Sequence, residues 1–173
     1  MKQLLFFSLL FLTTITNAQT NLVKNGGFES DLTNWRGEEI ATISPYDIKS
    51  GQKSAVINQF VGEDWKGIDQ IINIPKNTAA LECSIWIKSE SIEEKKEAYK
   101  AGVMIAEFTD NSEKKITSEN IAEVKGTTTW TLYKKTLTVP ENAKKIRIML
   151  ALAQTSGSVY FDDIKVIATP KQI

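Results

Sequence analysis

The alternation that decides the fold is clearest at residues 145–152, which have the sequence KIRIMLAL. Successive side chains of a β-strand point to opposite faces, so this stretch predicts one branched apolar face and one mixed face. The first face carries Ile146, Ile148, Leu150 and Leu152, and the second carries Lys145, Arg147, Met149 and Ala151. This pattern is typical of a strand with one side in a hydrophobic core.

Short β-rich runs of this kind recur along the chain, separated by Gly, Asn, Asp and Pro. We predict strands at about 21–24, 38–44, 53–59, 66–74, 79–88, 99–109, 115–124, 130–139, 144–153 and 158–167. The one good helix-forming run, at 92–98, has mixed charge and no apolar stripe, so we expect a solvated loop or a single turn there. About ten antiparallel strands without a long helix predict an all-β protein, a β-sandwich of the jelly-roll type.

The first eighteen residues have the layout of a secretory signal peptide. Lys2 is followed by an apolar run from Leu4 to Leu12, and small residues lead to Ala18. The apolar run is much shorter than the roughly 20 residues that span a bilayer. We therefore predict cleavage after Ala18, secretion to the periplasm or the exterior, and a single mature domain at 19–173.

The composition argues against several classes of function. The chain has 21 basic and 21 acidic residues, and a near-neutral surface argues against nucleic acid or membrane partners. Cys83 is the only cysteine and lies in an apolar run, so we predict a buried, unreactive thiol. There is no histidine, which excludes Ser-His-Asp and Cys-His nucleophile systems and His-based zinc sites.

Three segments together resemble a known family. They are NLVKNGGFE at 21–29 followed by LTNW at 32–35, SGQKSA at 50–55, and YFDDIKV at 160–166. Between them, CSIWIK at 83–88, TW at 129–130 and LTVP at 137–140 fit further strands in the right order. In this order they resemble the carbohydrate-binding modules of families 4, 9 and 22, over essentially the whole mature chain. The resemblance implies a jelly roll of the galactose-binding type and a secreted, non-catalytic, monomeric module. Its partners would be a polysaccharide or oligosaccharide and secreted glycanases.

The resemblance also implies a structural calcium ion. Calcium takes six to eight oxygen ligands from carboxylates and carbonyls. The positions that match the family's ligands are Gly27, Glu29, Lys53 and Asp162. Asp163 would replace Asp162 if the strand register differed by one. In the alternative interpretation, Glu29 accepts N–H bonds from a turn, while Asp162 and Asp163 cap an exposed strand end.

Trp65 is the predicted centre of a ligand site. It lies in the polar stretch GEDWKG at 62–67, where it has little apolar cover. Sugar rings stack on flat aromatic side chains, and their hydroxyls need polar partners nearby. The predicted companions are Asp69, Gln70, Tyr99, Glu107, Arg147 and Gln154. In the alternative, Trp65 is a lid over one end of the sandwich and the companions are ordinary exposed residues.

The other tryptophans are expected to be structural. Trp86 lies between Ile85 and Ile87 and is predicted to pack in the core, whereas Trp35 and Trp130 match positions that pack structurally in the family. One departure from the family is the pair Ala151 and Ala153, where relatives that bind polymer chains carry acids or aromatics. This departure weakens the assignment to a particular polymer and leaves open a binding face that has decayed.

Two alternative functions are a small secreted glycoside hydrolase or lyase, and a protein-binding adhesive surface module on the same fold. A glycoside hydrolase needs two carboxylates about 5–10 Å apart across a cleft. No such pair is evident on one strand face, and Glu93, Glu94 and Glu97 lie in a solvated charge run. We therefore predict no catalytic residues and no enzyme activity. A protein-binding adhesive surface module is the other alternative, because one fold serves many functions.

Overall fold

The computed structural model describes residues 20–62 and 64–172, so the predicted signal peptide at 1–18 lies outside the described part. Its strands are β1 (Thr42–Ser44), β2 (Ser54–Gln59), β3 (Trp65–Asn73), β4 (Thr78–Ile92), β5 (Gly102–Thr109), β6 (Lys115–Val124), β7 (Gly126–Thr138), β8 (Lys145–Ala153) and β9 (Gly157–Pro170). The described residues contain no helix, and hence none that is long and apolar enough to cross a membrane. The run at 92–98 forms a loop once β4 has ended, as predicted.

The strands form two antiparallel sheets packed face to face. One sheet has five strands in the order β1-β2-β9-β4-β7, and the other has four in the order β3-β8-β5-β6. The predicted all-β sandwich is confirmed, with nine strands in the described residues in place of about ten. The run at 21–24 makes only a bridge between Asn21 and Ile167, because the Asn21 side chain bonds directly to the backbone of β9.

The core lies between the sheets. In β8 the side chains of Ile146, Ile148, Leu150 and Leu152 are fully buried, which confirms the alternation predicted for that strand. β4 contributes Leu81, Cys83, Ile85 and Ile87 from the opposite sheet. Burial raises the pKa of the Cys83 thiol to about 12, with a smaller contribution from the charge of Glu82. The thiol is therefore protonated and enclosed, as predicted.

The prediction for Trp86 is wrong. Because Ile85 and Ile87 point into the core, strand alternation turns Trp86 to the outer face of the five-stranded sheet, where it is half-buried. The Lys49 ammonium lies 3.9 Å from its ring centroid. Trp35 does pack in the interior, against the Phe28 ring at 5.4 Å between centroids. Trp130 is half-buried, at a register irregularity between β4 and β7.

The N-terminal segment is fastened to an irregularity in β9. Asp163 has a φ of 49°, and the β4–β9 register shifts at this point. Ile164 N–H donates to the Gly26 carbonyl at 3.0 Å, and the Asn21 side-chain amide donates to the Ile164 carbonyl at 2.9 Å. A Cβ on Gly26 would lie less than 3.0 Å from the Ile164 carbonyl oxygen. The first glycine of the NGGFE segment is thus required by the close approach of two backbones.

We predict that Gly26→Ala lowers the free energy of unfolding by about 2 kcal/mol, since the methyl group forces two backbones apart. Denaturant unfolding followed by circular dichroism measures this. Gly27→Ala is the matched control, because a Cβ there meets its nearest atoms at 3.8 and 4.0 Å, which is ordinary contact. Equal losses for the two variants would contradict this role of Gly26.

Candidate functional site

Four of the predicted ligand residues share the outer face of the four-stranded sheet. In β3, Ile68 and Ile72 point to the core, so the alternate side chains of Trp65 and Asp69 point outward. On the neighbouring strands, Arg147 of β8 pairs in register with Glu107 of β5. Both residues occupy the alternate positions of their strands whose side chains face away from the core. The sheet therefore brings together Trp65, Asp69, Glu107 and Arg147, which are distant in sequence.

The Trp65 indole lies over positions that carry almost no side chain. Trp65 is 48% exposed, so about half of its surface is available to a ligand and the rest is in contact with the protein. A Cβ on Gly67 would lie 3.2 Å from the indole Nε1 and 2.9 Å from the Ala151 Cβ. Ala151 and Ala153 are fully buried in a small outer cluster with Ala101 and Val103. The outer face is thus covered at the alanines, and the tight contacts of Gly67 with the indole and with Ala151 account for a glycine at that position.

A charge cluster lies further along the same face. The Asp69 side chain is 13% exposed and accepts hydrogen bonds from Arg36 Nε and Arg147 Nη2, each at 2.8 Å. The hydrogen bond that Arg147 donates to Asp69, together with the negative charge of Asp69, raises the pKa of the Arg147 guanidinium. Arg36 was missed by the sequence analysis. It lies outside the strands, and only the long-range bridge to Asp69 brings it to this face.

Arg147 and Glu107 have unused hydrogen-bonding capacity. Arg147 Nε is buried and has no hydrogen-bond partner among the described residues. Glu107 is the cross-strand neighbour of Arg147 and makes no side-chain hydrogen bond within residues 20–62 and 64–172. The Arg147 side chain as a whole is 37% exposed, so its guanidinium group lies on the same outer face as the free Glu107 carboxylate, although Nε itself is covered. A hydroxyl group both donates and accepts, so it is the chemical group that suits this pair.

The structure removes Gln70 from the predicted site. Alternation turns its side chain to the side opposite Asp69, where Gln70 is only 6% exposed. Its Oε1 accepts from Lys24 N–H at 2.8 Å, and its Nε2 donates to the Lys24 and Asn34 carbonyls at 2.9 and 3.2 Å. Gln70 therefore satisfies the backbone of the N-terminal segment, and the prediction that it faces a ligand is corrected.

Tyr99 and Gln154 lie in loops at the Trp65 end of the sandwich. Tyr99 is 57% exposed and comes just before Lys100, whose ammonium lies 5.9 Å from its ring centroid. Gln154 directly follows β8, has a φ of 47°, and donates from its backbone N–H to the Asp64 carbonyl at 3.0 Å. Both residues are thus near the start of β3, but on loops and not on the sheet.

The two acids predicted to bind calcium border the same glycine. A Cβ on Gly27 would lie 3.8 Å from Asp162 Oδ1 and 4.0 Å from Glu29 Cγ. Asp162 is completely buried, and its Oδ2 accepts from the Lys49 and Ser50 N–H groups at 2.9 and 2.8 Å. Burial raises the pKa of Asp162, against the effect of these N–H donors.

Glu29 and Asp163 differ from Asp162 in their surroundings. Glu29 Oε1 accepts from the Gln52 and Lys53 N–H groups at 3.0 and 3.2 Å, the turn contact of the alternative interpretation. Asp163 instead pairs with Lys165 at 2.8 Å. Among the described residues there is no group of three or more His, Cys, Asp or Glu side chains able to hold a metal, so any ion here would need backbone carbonyls.

We predict that Asp69→Asn lowers the free energy of unfolding by about 2 kcal/mol, because two guanidinium groups lose their shared counter-charge. Thermal and denaturant unfolding at low salt measure the loss. Asp31→Asn is the matched control, since Asp31 pairs with Lys53 but its side chain is 72% exposed. Its change should stay within about 0.5 kcal/mol. Equal, small effects of both substitutions would contradict a structural role for the cluster.

Comparison with known proteins places this geometry in a family. The family model for the carbohydrate binding domain, of the type that groups families 4 and 9, matches residues 20–157. No curated protein sequence matches the chain significantly.

Solved structures share the fold at low sequence identity. A xylan-binding domain of family 22 is 18% identical, with a TM-score of 0.57, and the match covers 91% of this chain and all of that one. TmCBM61, solved in complex with β-1,4-galactotriose, is 16% identical, with a TM-score of 0.57, and the match covers 87% and 99% of the two chains. The enzymatically active domain of tailspike protein 4 of bacteriophage CBA120 is 16% identical over 86% of this chain, with a TM-score of 0.64. This chain spans only 21% of that domain.

The two-sheet arrangement and these neighbours confirm the predicted jelly roll. The family match, which extends over most of the described residues, confirms the resemblance found in the sequence. The chain belongs to the carbohydrate binding domain family.

Proposed function

We propose that this chain is a secreted, non-catalytic module that binds a polysaccharide or oligosaccharide on the outer face of the four-stranded sheet. The observation that carries the proposal is the half-exposed indole of Trp65, set beside small residues on the face that also bears Arg147 and Glu107. A sugar ring has an apolar C–H face that suits the indole and hydroxyls that suit the charged pair.

The spacing of these groups suits more than one sugar unit. Trp65 pairs with Ala153 at one end of β8, and Arg147 lies six residues back along the same strand. At the usual rise of a β-strand, this separation is roughly 20 Å. The aromatic and polar contacts would therefore fall on different units of one oligosaccharide.

The carboxylates of this face support binding over hydrolysis. A glycosidase uses two carboxylates in complementary roles. Asp69 is held by two guanidinium groups, so Glu107 is the one free carboxylate among the residues predicted for the site. We propose that the chain acts as a monomer beside secreted glycanases, with residues 1–18 removed on export.

We predict that Trp65→Ala weakens binding to soluble polysaccharide at least about tenfold, which corresponds to roughly 1.4 kcal/mol. Affinity gel electrophoresis across a panel that includes xylan and β-1,4-galactan measures the loss. The fold should be unaffected, because Trp65 is half-exposed.

Tyr46→Ala is the control for this experiment. Tyr46 is 91% exposed, but it follows β1 in the five-stranded sheet, away from the proposed face. Its loss should leave retention unchanged. Equal retention of the wild type and the Trp65 variant on every glycan that the wild type binds would refute the proposed site. Release of reducing ends would refute the non-catalytic assignment.

We also propose that a calcium ion is held by the carboxylates of Glu29 and Asp162 and the carbonyls of Gly27 and Lys53. The donor set suits calcium, which takes carboxylate and carbonyl oxygens. Glu29 Oε2 has only a shared N–H donor, Gln52 at 3.2 Å. Asp162 Oδ1 accepts the Asp163 N–H at 2.6 Å and a long contact from the Ser50 hydroxyl at 3.4 Å. Glu29 therefore has the freer carboxylate oxygen for a cation, and the negative charge of the buried Asp162 would be balanced by the ion. The ion's contribution would be to stability.

We predict that calcium raises the melting temperature of the wild type and that a chelator lowers it, since an ion bound only by the native state stabilises that state. Asp162→Asn should abolish the response. Asp163→Asn should retain it, because the Asp163 side chain pairs with Lys165. Differential scanning calorimetry with and without chelator measures this. An identical melting temperature of the wild type in both conditions would rule out the ion.

A further inference from the structure

A second concave site lies at the end of the sandwich opposite Trp65. It is bounded by the β3–β4 turn at residues 74–78, the β7–β8 turn at residues 139–144, and Lys171. We call this site the turn depression. Ile74, Val139 and Ala143 give it an apolar wall, and Ala143 is 7% exposed. None of the residues considered above for a ligand or a metal takes part in it.

The turn depression is held in shape by backbone hydrogen bonds. Ile74 N–H donates to the Lys144 carbonyl at 2.9 Å and so joins the two turns. Lys171 N–H donates to the Asn77 carbonyl at 2.8 Å and fastens the end of β9 to the first turn. The Thr78 hydroxyl closes that turn on the Pro75 carbonyl at 2.7 Å. The concavity is therefore preformed, which reduces the entropy lost when a ligand binds.

The charge of the turn depression is unbalanced. Lys76, Lys144 and Lys171 line it together with a single acid, Glu141. Within residues 20–62 and 64–172, none of these three lysines forms an ion pair with a carboxylate. By contrast, the neighbouring Lys145 pairs with Glu113 at 2.9 Å. Charges of one sign around a concavity with apolar walls reinforce one another and attract an anion.

One further group provides directionality. Asn77 is one of the residues that line the turn depression, and its side-chain amide makes no hydrogen bond among the described residues, so the amide can donate to a ligand. The site thus combines ammonium groups, an amide donor and an apolar wall. An anion with an apolar body uses all three, whereas a fully hydrated inorganic ion uses only the charges.

We propose that the turn depression binds an organic carboxylate, with the carboxylate among Lys76, Lys144 and Asn77 and its apolar body against Ile74 and Val139. The apolar part of this ligand is either the C–H face of a sugar acid or a small hydrocarbon ring. Because this site lies at the other end of the sandwich, the inference stands apart from the proposed glycan-binding face.

The test is an NMR titration of the ¹⁵N-labelled chain at constant ionic strength. The probes are sodium galacturonate and sodium benzoate, with methyl galactoside, benzamide and inorganic phosphate as comparison ligands. We expect at least one carboxylate to cause saturable shifts of the Asn77, Ala143 and Lys171 amides in the millimolar range. The neutral analogues should cause none, and phosphate should bind more weakly than the carboxylate. The tighter binder of galacturonate and benzoate shows whether the apolar part of the ligand is a sugar ring or a hydrocarbon ring.

Substitutions make the assignment specific. Lys76→Gln combined with Lys144→Gln should weaken the carboxylate at least about tenfold, since two charged donors are lost. Lys134→Gln is the control, because Lys134 is an exposed lysine on β7 outside the turn depression. It should leave the affinity unchanged. The proposal is overturned if neither carboxylate saturates, if a neutral analogue or phosphate binds as tightly, or if the control weakens binding as much as the double substitution.

Discussion

The buried carboxylate of Asp162 is the constraint on which the outer surface of the five-stranded sheet depends. It accepts the Lys49 and Ser50 N–H groups and thereby holds the β1–β2 loop, residues 45–53, against the five-stranded sheet. Lys88 of β4 pairs with Asp47 of the same loop. A buried acid without such donors would be costly, so the loop and the carboxylate stabilise each other.

The two outer faces of the sandwich differ in their tryptophans. On the five-stranded sheet, the β1–β2 loop brings Lys49 over Trp86, so that indole is engaged within the protein. On the four-stranded sheet, the Trp65 indole lies beside Gly67 and remains 48% exposed. Of these two tryptophans, Trp65 is therefore the one with a surface free for a ligand. The same fold thus gives one tryptophan a structural role and leaves the other free to bind.

Much of this could be predicted from the sequence, because it depends on alternation and local turns. The apolar face of β8, the burial of Cys83 and the sandwich all follow from short-range patterns. The exposure of Trp65 could be predicted too, since its neighbours in the sequence are polar. Alternation also explains two wrong predictions. Trp86 was assigned to the core with both of its neighbours, although alternate residues of a strand face opposite sides, and Gln70 was grouped with Asp69 for a similar reason.

Other features depend on contacts that no local pattern contains. Arg36 reaches the candidate face only through its bridge to Asp69, far along the chain. The two small residues, Gly67 and Ala151, matter because β3 and β8 pair in one particular register. In the sequence, Ala151 and Ala153 were interpreted as the absence of binding residues. In the fold both alanines are completely buried, and Ala151 lies directly against Gly67, so small residues are needed where these two strands pair.

We propose that glycan binds on the four-stranded sheet, with a sugar ring against Trp65. A crystal structure of the chain with an oligosaccharide selected by the binding panel tests this most directly. We expect a ring stacked on the Trp65 indole and hydroxyls within hydrogen-bonding distance of the Arg147 guanidinium group and Glu107. An oligosaccharide seated on the outer face of the five-stranded sheet, with Trp65 free of contact, would contradict it.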